Sequence, residues 1–386
     1  LKCADFSCGS GHILNEFFDL LMKCYIEEGN DPVTAIGKIF THNLVGIDLD
    51  TRAQQLTMFS LLLKACQQEK EAFKDAHIMP HVLDMPAVVY NNICGIINSL
   101  FSTFNANVRQ EVDAAFQLVE KANELGSIMK FNLCDESREA MTAVAAEYNE
   151  QENADSEIVK AMDLMLILTD KYSAIAMNPP YMGRKHMDSA LSSYTNLQYS
   201  KTKADLFSVF MDVAEDRLAP KAKYGMINMQ SWMFLPTFIE KREEFLDNNI
   251  IDSLIHLGTN TFDELSGEVV NSTTFVCTKE SHAEYNVEGV YFKLTEEGSC
   301  SLKESAFLNE SNCFYANQDT FKNVLGCPIC YWLSKRLRDI FDAKDFMSKY
   351  GRAYQGLATA DNDRFTRIWH EVSVNCIGFN LGSSEV

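Results

Sequence analysis

The residues best suited to chemistry are four in a row, Asn178-Pro179-Pro180-Tyr181, directly after the apolar run Ser173 to Met177. Two prolines fix the backbone and remove two amide donors, which leaves neighbouring carbonyls to accept hydrogen bonds from another group. An exocyclic amino group is a matching donor. Asn178 adds a side-chain acceptor, and Tyr181 offers a flat face on which a heterocycle stacks, worth about 1–3 kcal/mol per base. A plain Asn-Pro turn is the alternative.

A second constellation is Asp5, Cys8, Gly9 and Gly11, in the turn between a short strand-like run and a helical pattern that begins at His12. Glycines at such a turn let backbone amides approach a nucleotide-like ligand closely. The spacing is G-x-G without the third glycine of the dinucleotide fingerprint, and no Lys-Ser or Lys-Thr pair makes it a triphosphate loop. A purely structural turn remains open. Asp48, at the tip of the next apolar run, is a carboxylate of the type that accepts hydrogen bonds from ribose hydroxyls; a helix N-cap by Asp48 or Asp50 is the alternative.

Strand-like runs at residues 2–6, 44–48, 78–83, 173–177, 224–229, 250–256 and 268–278 alternate with helical patterns at 12–28, 31–43, 51–70, 204–219 and 237–247, with Pro220 expected to end the fourth of these. Such alternation implies crossover connections, hence an α/β fold with a doubly wound, mostly parallel sheet covered on both faces. A helical insertion is expected at about 91–165. Residues 111–165 hold 13 acidic against 4 basic residues, a net of −9, and read as a solvated helical insertion. Residues 182–204 carry Arg184, Lys185, Lys201 and Lys203 against Asp188 alone, interleaved with Tyr194 and Tyr199. That stretch suits a phosphate backbone, with a solvated loop as the alternative. Beyond about 285 the alternation is expected to give way to short strands and loops.

The 386 residues carry a formal charge of −20, with 46% hydrophobic and 23% charged residues. This composition excludes the disordered class, and the acidity excludes a generic nucleic-acid coat, so any DNA contact must be local. Twelve cysteines without a paired framework read as reduced thiols, and Cys327 with Cys330 lacks a second pair at zinc spacing, so no metal site is expected. A cytoplasmic setting follows. Residues 85–108 lack a formal charge over 24 residues, but five asparagines argue for a soluble segment rather than a membrane span. The start at Leu1, with no signal peptide, reads as a piece of a longer protein.

The glycine motif followed by Asn178-Pro179-Pro180-Tyr181 resembles the adenine-specific DNA methyltransferases that methylate amino groups. Further segments, Ser231 to Phe234, His256 to Gly258, Gly267 to Phe275, and Gly356 to Phe365 with Trp369, are similar to the methyltransferase of the bacteriophage exclusion (BREX) defence system, the PglX family. The resemblance implies a Rossmann-like methyltransferase sheet and S-adenosylmethionine as cofactor. It also implies transfer of a methyl group to N6 of an adenine flipped out of double-stranded DNA, with other phage-defence proteins as partners and no membrane. It assigns catalysis to Asn178, Pro179, Pro180 and Tyr181, and cofactor binding to Asp5, Cys8, Gly9, Gly11, Asp48 and Asp84. Substrate contacts fall to Tyr181, Arg184, Lys185, Lys201, Lys203 and Phe275, the last with a core position as its alternative. Phe6 stands where the family usually has proline, and the family's helix upstream of the glycine motif is absent. Residues 1–285 are read as the catalytic domain and 286–386 as a β-rich or irregular segment leading towards a truncated target-recognition region. The alternatives are methylation of RNA adenine or protein glutamine, or a non-catalytic assembly subunit of the same fold.

Overall fold

Among the described residues of the computed structural model nine strands form one sheet: β1 (Cys3–Asp5), β2 (Leu44–Ile47), β3 (His81–Leu83), β4 (Tyr172–Met177), β5 (Leu218–Met229), β6 (Ile250–Gly258), β7 (Ser272–Thr278), β8 (Glu288–Lys293) and β9 (Cys313–Asn317). The described residues are 1–70, 78–261, 270–280 and 287–334, with 336–337, 340, 350–351, 364 and 366–377. Two units divide the chain, Leu1–Arg338 and Asp339–Val386. The sheet belongs to the first; the described part of the second holds short 3₁₀ turns at Trp369–Glu371 and Val374–Cys376.

The strand order is β3-β2-β1-β4-β5-β7-β6-β8-β9. Strands β1 to β5 run parallel, β7 lies antiparallel between β5 and β6, and β9 closes the far edge antiparallel to β8. Period-two alternation puts successive residues of β1 on opposite faces, and each face has its own core. Cys3 packs with Leu14 and Phe18 of the helix His12–Glu27 and Leu61 of the helix Thr51–Gln68; Ala4 packs on the other side with Ile47 and the helices that precede β4. The direction of winding reverses between β1 and β4, which pair as neighbours (Cys3 with Ala174, Ala4 with Ile175) although about 170 residues separate them. At such a switch point the loops leaving the carboxyl ends of the two strands diverge and open a crevice.

Three expectations change. The helix Leu206–Arg217 stops before Pro220, which lies inside β5; the register against β4 jumps from Leu218 to Lys223 there, and Lys221 takes a positive φ of 64°. Proline has no ladder donor to lose in such a bulge, so it interrupts the pairing without ending the strand. The acidic insertion is no mere solvated appendage: Val112, Phe116, Met141, Met162 and Leu164 are buried in the core on Ala4's side of the sheet. Its acids take the outer faces while every turn supplies an apolar residue inward. Past 285 the expected short strands, β8 and β9, join the same sheet rather than a separate segment, with the helix Cys300–Leu308 between them in the chain.

The uncharged stretch 85–108 becomes the helix Tyr90–Leu100 and the start of Ala106–Val119, with Ile93 and Ile97 in the core. Among the described residues no helix is long and apolar enough to cross a membrane. Within the segments that carried the resemblance, 267–269, 356–363 and Phe365 lie outside the described residues.

Candidate active site

The loop after β1 is built from its own backbone demands. Asp5, 1% exposed, accepts the Ser7 amide at 3.0 Å, and the Cys8 amide donates to the Ile47 carbonyl at 3.0 Å. Gly9 and Gly11 have φ of 53° and 82°, in the left-handed region where a side chain is strained. At Gly11 a Cβ would also meet Thr57 at 2.8 Å, whereas at Gly9 it would meet nothing within 4 Å, so the turn stays open on that side. Asp48 ties this loop to β2: its Oδ2 accepts the Gly9 amide at 2.7 Å and its Oδ1 the Asp50 amide at 2.9 Å. The helix cap is Asp50, which accepts the Arg52 amide, so Asp48 is left facing the crevice.

Burial pushes the Asp5 carboxyl up to about 7; the Ser7 amide opposes this and the neighbouring Asp48 charge adds to it. The folded protein therefore holds this proton to near neutrality, while the unfolded chain releases it near pH 3.8. Asp5 accordingly makes folding less favourable as pH rises from about 4 to 7. Asp5→Asn is expected to gain stability relative to the unsubstituted protein as pH rises from 5 to 8, read from urea midpoints at each pH; an unchanged difference would show that Asp5 does not titrate in that window.

A cavity of about 550 Å³ opens where the β1 and β4 loops diverge, within the range of small-molecule sites. Asp48, Asn178 and Pro180 line it, three residues expected from sequence and brought together from distant positions. Asn178 is exposed; among the described residues its Oδ1 has only the Tyr181 hydroxyl, at 3.4 Å, and its carbonyl accepts Ser7 Oγ at 3.4 Å. Pro179 is buried beneath them. Tyr181 is half-buried, its ring edge-on to Phe207 at 6.3 Å, and burial pushes its hydroxyl up to about 12, with the Asp205 charge adding to the effect. Asp205 fixes the loop's exit by accepting the Met182 amide at 3.0 Å.

The basic stretch also converges. Arg184, Lys185, Lys201 and Lys203 line a cleft of about 500 Å³, and His186 belongs to both this cleft and the cavity. Lys201 is paired with Glu244 at 2.9 Å. Other expected residues lie outside the cavity lining: Gly9, Gly11, Pro179 and Tyr181 shape its loops, while Asp5 is buried beneath the glycine turn, and Phe275, Asp84 and Cys8 sit elsewhere. Phe275, 2% exposed, is a core residue rather than a stacking wall, packed among Tyr224, Trp232 and Phe245. Asp84 lies outside the cavity lining: burial alone would raise its carboxyl, but the Lys160 ammonium and the Thr51 hydroxyl occupy it and hold it low. Cys8 is buried against Thr57, and burial pushes its thiol up.

Residues 42–262 match the family described as Eco57I restriction-modification methylase. The chain belongs to this family. Among curated relatives of this chain, the adenine-specific methyltransferase BrxX of Escherichia coli O9:H4 (strain HS) is 31% identical over 403 residues, covering 97% of this chain and 33% of its own length. The adenine-specific methyltransferase PglX of Lacticaseibacillus casei (strain Zhang) is 31% identical over 394 residues, covering 97% of this chain and 32% of its own. The chain thus spans about a third of the relatives it matches. Among solved structures, the Type ISP enzyme LlaGI with a DNA substrate mimic aligns at 12% identity and a TM-score of 0.48, over 80% of this chain and 26% of that one.

The family match contains Asp48, the Asn178 to Tyr181 loop and the basic cleft. It also contains lining residues that sequence reasoning passed over: Leu49, the insertion's tip from Asn123 to Ile128, His186, and Asp188, which doubles as the N-cap of the helix Ser189–Gln198. Leu49 could have been found as the apolar neighbour of Asp48. The tip's signal was Gly126-Ser127-Ile128-Met129, an uncharged break in the most acidic part of the chain.

Proposed function

We propose that this chain is the catalytic core of a DNA adenine methyltransferase of a phage-defence system, moving a methyl group from S-adenosylmethionine to adenine N6. The observation that carries this reading is the sharing of one cavity by Asp48 and the Asn178-Pro179-Pro180 loop at the β1/β4 switch point.

The residues present fit that cofactor. Asp48 faces the cavity with lone pairs suited to ribose hydroxyls, Leu49, Leu125 and Ile128 supply apolar walls for a heterocycle, and the turn at Gly9 leaves open space beside Asp48. When bound, the cofactor would supply an activated methyl on a sulfonium. The chain's own task is to prepare the acceptor. The lone pair of adenine N6 is delocalised into the ring, so acceptors on its two hydrogens favour the tetrahedral form in which nitrogen can attack. On this reading those acceptors are the Asn178 side chain and the Pro179 carbonyl, supported by Asn178 lining the cavity and by the absence, among the described residues, of a protein donor on the Pro179 carbonyl. The work is positioning and electrostatics, without a covalent intermediate on the protein. Flipping the base out of the stack costs a few kcal/mol, and stacking on Tyr181 offsets part of it. Arg184, Lys185 and Lys203, in the adjoining cleft, suit the phosphates beside the flipped nucleotide.

The test is parallel incubation of the complete protein with methyl-labelled S-adenosylmethionine and duplex DNA, RNA or protein. Label on adenine N6 of duplex DNA is expected; label on protein alone would overturn the reading.

A further inference from the structure

The helical insertion returns to the carboxyl edge of the sheet at its tip, and four hydrogen bonds, three to the tip's backbone and one from its own Ser127, pin it there. Ser127 Oγ donates to the Phe6 carbonyl at 2.6 Å, and the Tyr199 hydroxyl donates to the Ile128 carbonyl at 2.6 Å. Arg217 Nη2 donates to the Met129 carbonyl at 3.0 Å, while the Lys130 amide donates to the Tyr194 hydroxyl at 2.8 Å. Arg217 also lays its guanidinium over the Phe6 ring at 4.7 Å, with Tyr172 edge-on to that ring at 5.4 Å. Ser127, Phe6 and Arg217 are all buried.

One of these bonds differs from the rest. Ser127 alone reaches out of the tip to the backbone of the loop after β1, and it does so one residue before Ser7, which lines the cavity. The Phe6 carbonyl is thereby satisfied out of reach of water, and the Phe6 ring is held by Arg217 and Tyr172 on its other side. A loop so held is already in its binding geometry. A loop released from it must be ordered when ligand arrives, and that cost is taken from the apparent affinity.

We propose that Ser127 is a positioning residue for the cofactor: its hydrogen bond to Phe6 locks the insertion tip and the glycine loop into one preformed wall. This rests on the methyltransferase reading above. The insertion then serves two purposes, as core and as the element that sets cofactor affinity. The hydroxyl acts on binding and not on the reacting atoms, so KM for cofactor should rise with kcat nearly unchanged.

Calorimetric titration with S-adenosylmethionine tests this on the unsubstituted chain, on Ser127→Ala and on Val112→Ala, a core substitution in the insertion away from the cavity. Ser127→Ala is expected to bind roughly tenfold more weakly, the consequence of one buried carbonyl left unpaired. Val112→Ala is expected to bind as the unsubstituted chain does, although it lowers the urea midpoint. In methylation assays on the complete protein, Ser127→Ala should raise KM for cofactor by a similar factor at kcat within about twofold. Equal affinity for Ser127→Ala and the unsubstituted chain, or equal weakening by Val112→Ala, would overturn the role of Ser127 while leaving the methyltransferase reading intact. No binding by the unsubstituted chain would overturn both.

Discussion

Asn178→Ala is expected to slow methyl transfer about 10²–10³-fold, the range seen when one preorganised polar group is withdrawn from a developing charge. The side chain is exposed and, among the described residues, has no closer partner than the Tyr181 hydroxyl at 3.4 Å, which keeps the Ile227 carbonyl as an acceptor, so its removal leaves no buried group unsatisfied. The unfolding free energy should therefore stay within about 0.5 kcal/mol, as for other surface substitutions. That combination separates chemistry from folding. Asn178→Asp keeps an acceptor at the same place and should lose less than Asn178→Ala. The measurement is single-turnover transfer of labelled methyl to duplex DNA under saturating cofactor, with urea midpoints on the same samples. A rate for Asn178→Ala within tenfold of the unsubstituted protein would remove Asn178 from the reaction and favour a non-catalytic role for this fold.

What was legible in the sequence follows from how local each signal is. Asn178-Pro179-Pro180-Tyr181 announces itself because two prolines and their neighbours do their work within four residues. The strands β1, β2 and β4 were readable as short apolar runs for the same reason, and the helical pattern expected from residue 31 begins there, with Asp31 as the cap that accepts the Thr34 amide. Phe275 shows the limit from the other side: an aromatic in a strand pattern has two faces to choose from, and only its packing with Trp232, Tyr224 and Phe245 decides. Asp84 was placed at the end of the correct strand, yet its environment depends on Lys160, 76 positions away in the chain, which no periodicity connects to it. Pro220 is a case of tertiary override. Its rigid φ and missing donor normally end an element, but the bulge opposite β4 removes the need for that donor. The cavity's cover was the least legible part, because Ser127 meets Phe6 across 121 positions of chain.

The largest expected loss of stability lies beneath the basic loop. Lys241 is fully buried, with Nζ 2.7 Å from Asp212 Oδ1 and 2.9 Å from Glu215 Oε1. Burial alone would push its pKa down, but the two carboxylates hold it well above the ordinary lysine range. Both acids have second partners: Asp212 Oδ2 accepts the Thr202 hydroxyl at 2.6 Å, and Glu215 Oε1 accepts the Tyr224 hydroxyl at 2.9 Å. Lys241→Met keeps the volume and removes the charge, leaving two carboxylates mostly out of water with no cation. Breaking a buried pair in this way costs about 3–5 kcal/mol, and urea unfolding of Lys241→Met should show a loss of that size. The combined variant Lys241→Met, Asp212→Asn, Glu215→Gln should recover most of it, because the cost comes from uncompensated charge rather than from lost packing. The effect reaches the site as well. Thr202, held by Asp212, accepts Ser208 Oγ through its carbonyl at 2.5 Å and closes the turn next to Lys201 and Lys203. Lys241→Met should therefore weaken binding of duplex DNA more than binding of cofactor, since the cavity at Asp48 and Asn178 is held by other bonds. A loss below about 1 kcal/mol would mean that Asp212 and Glu215, 20% and 14% exposed at their side chains, reach water once the lysine is gone.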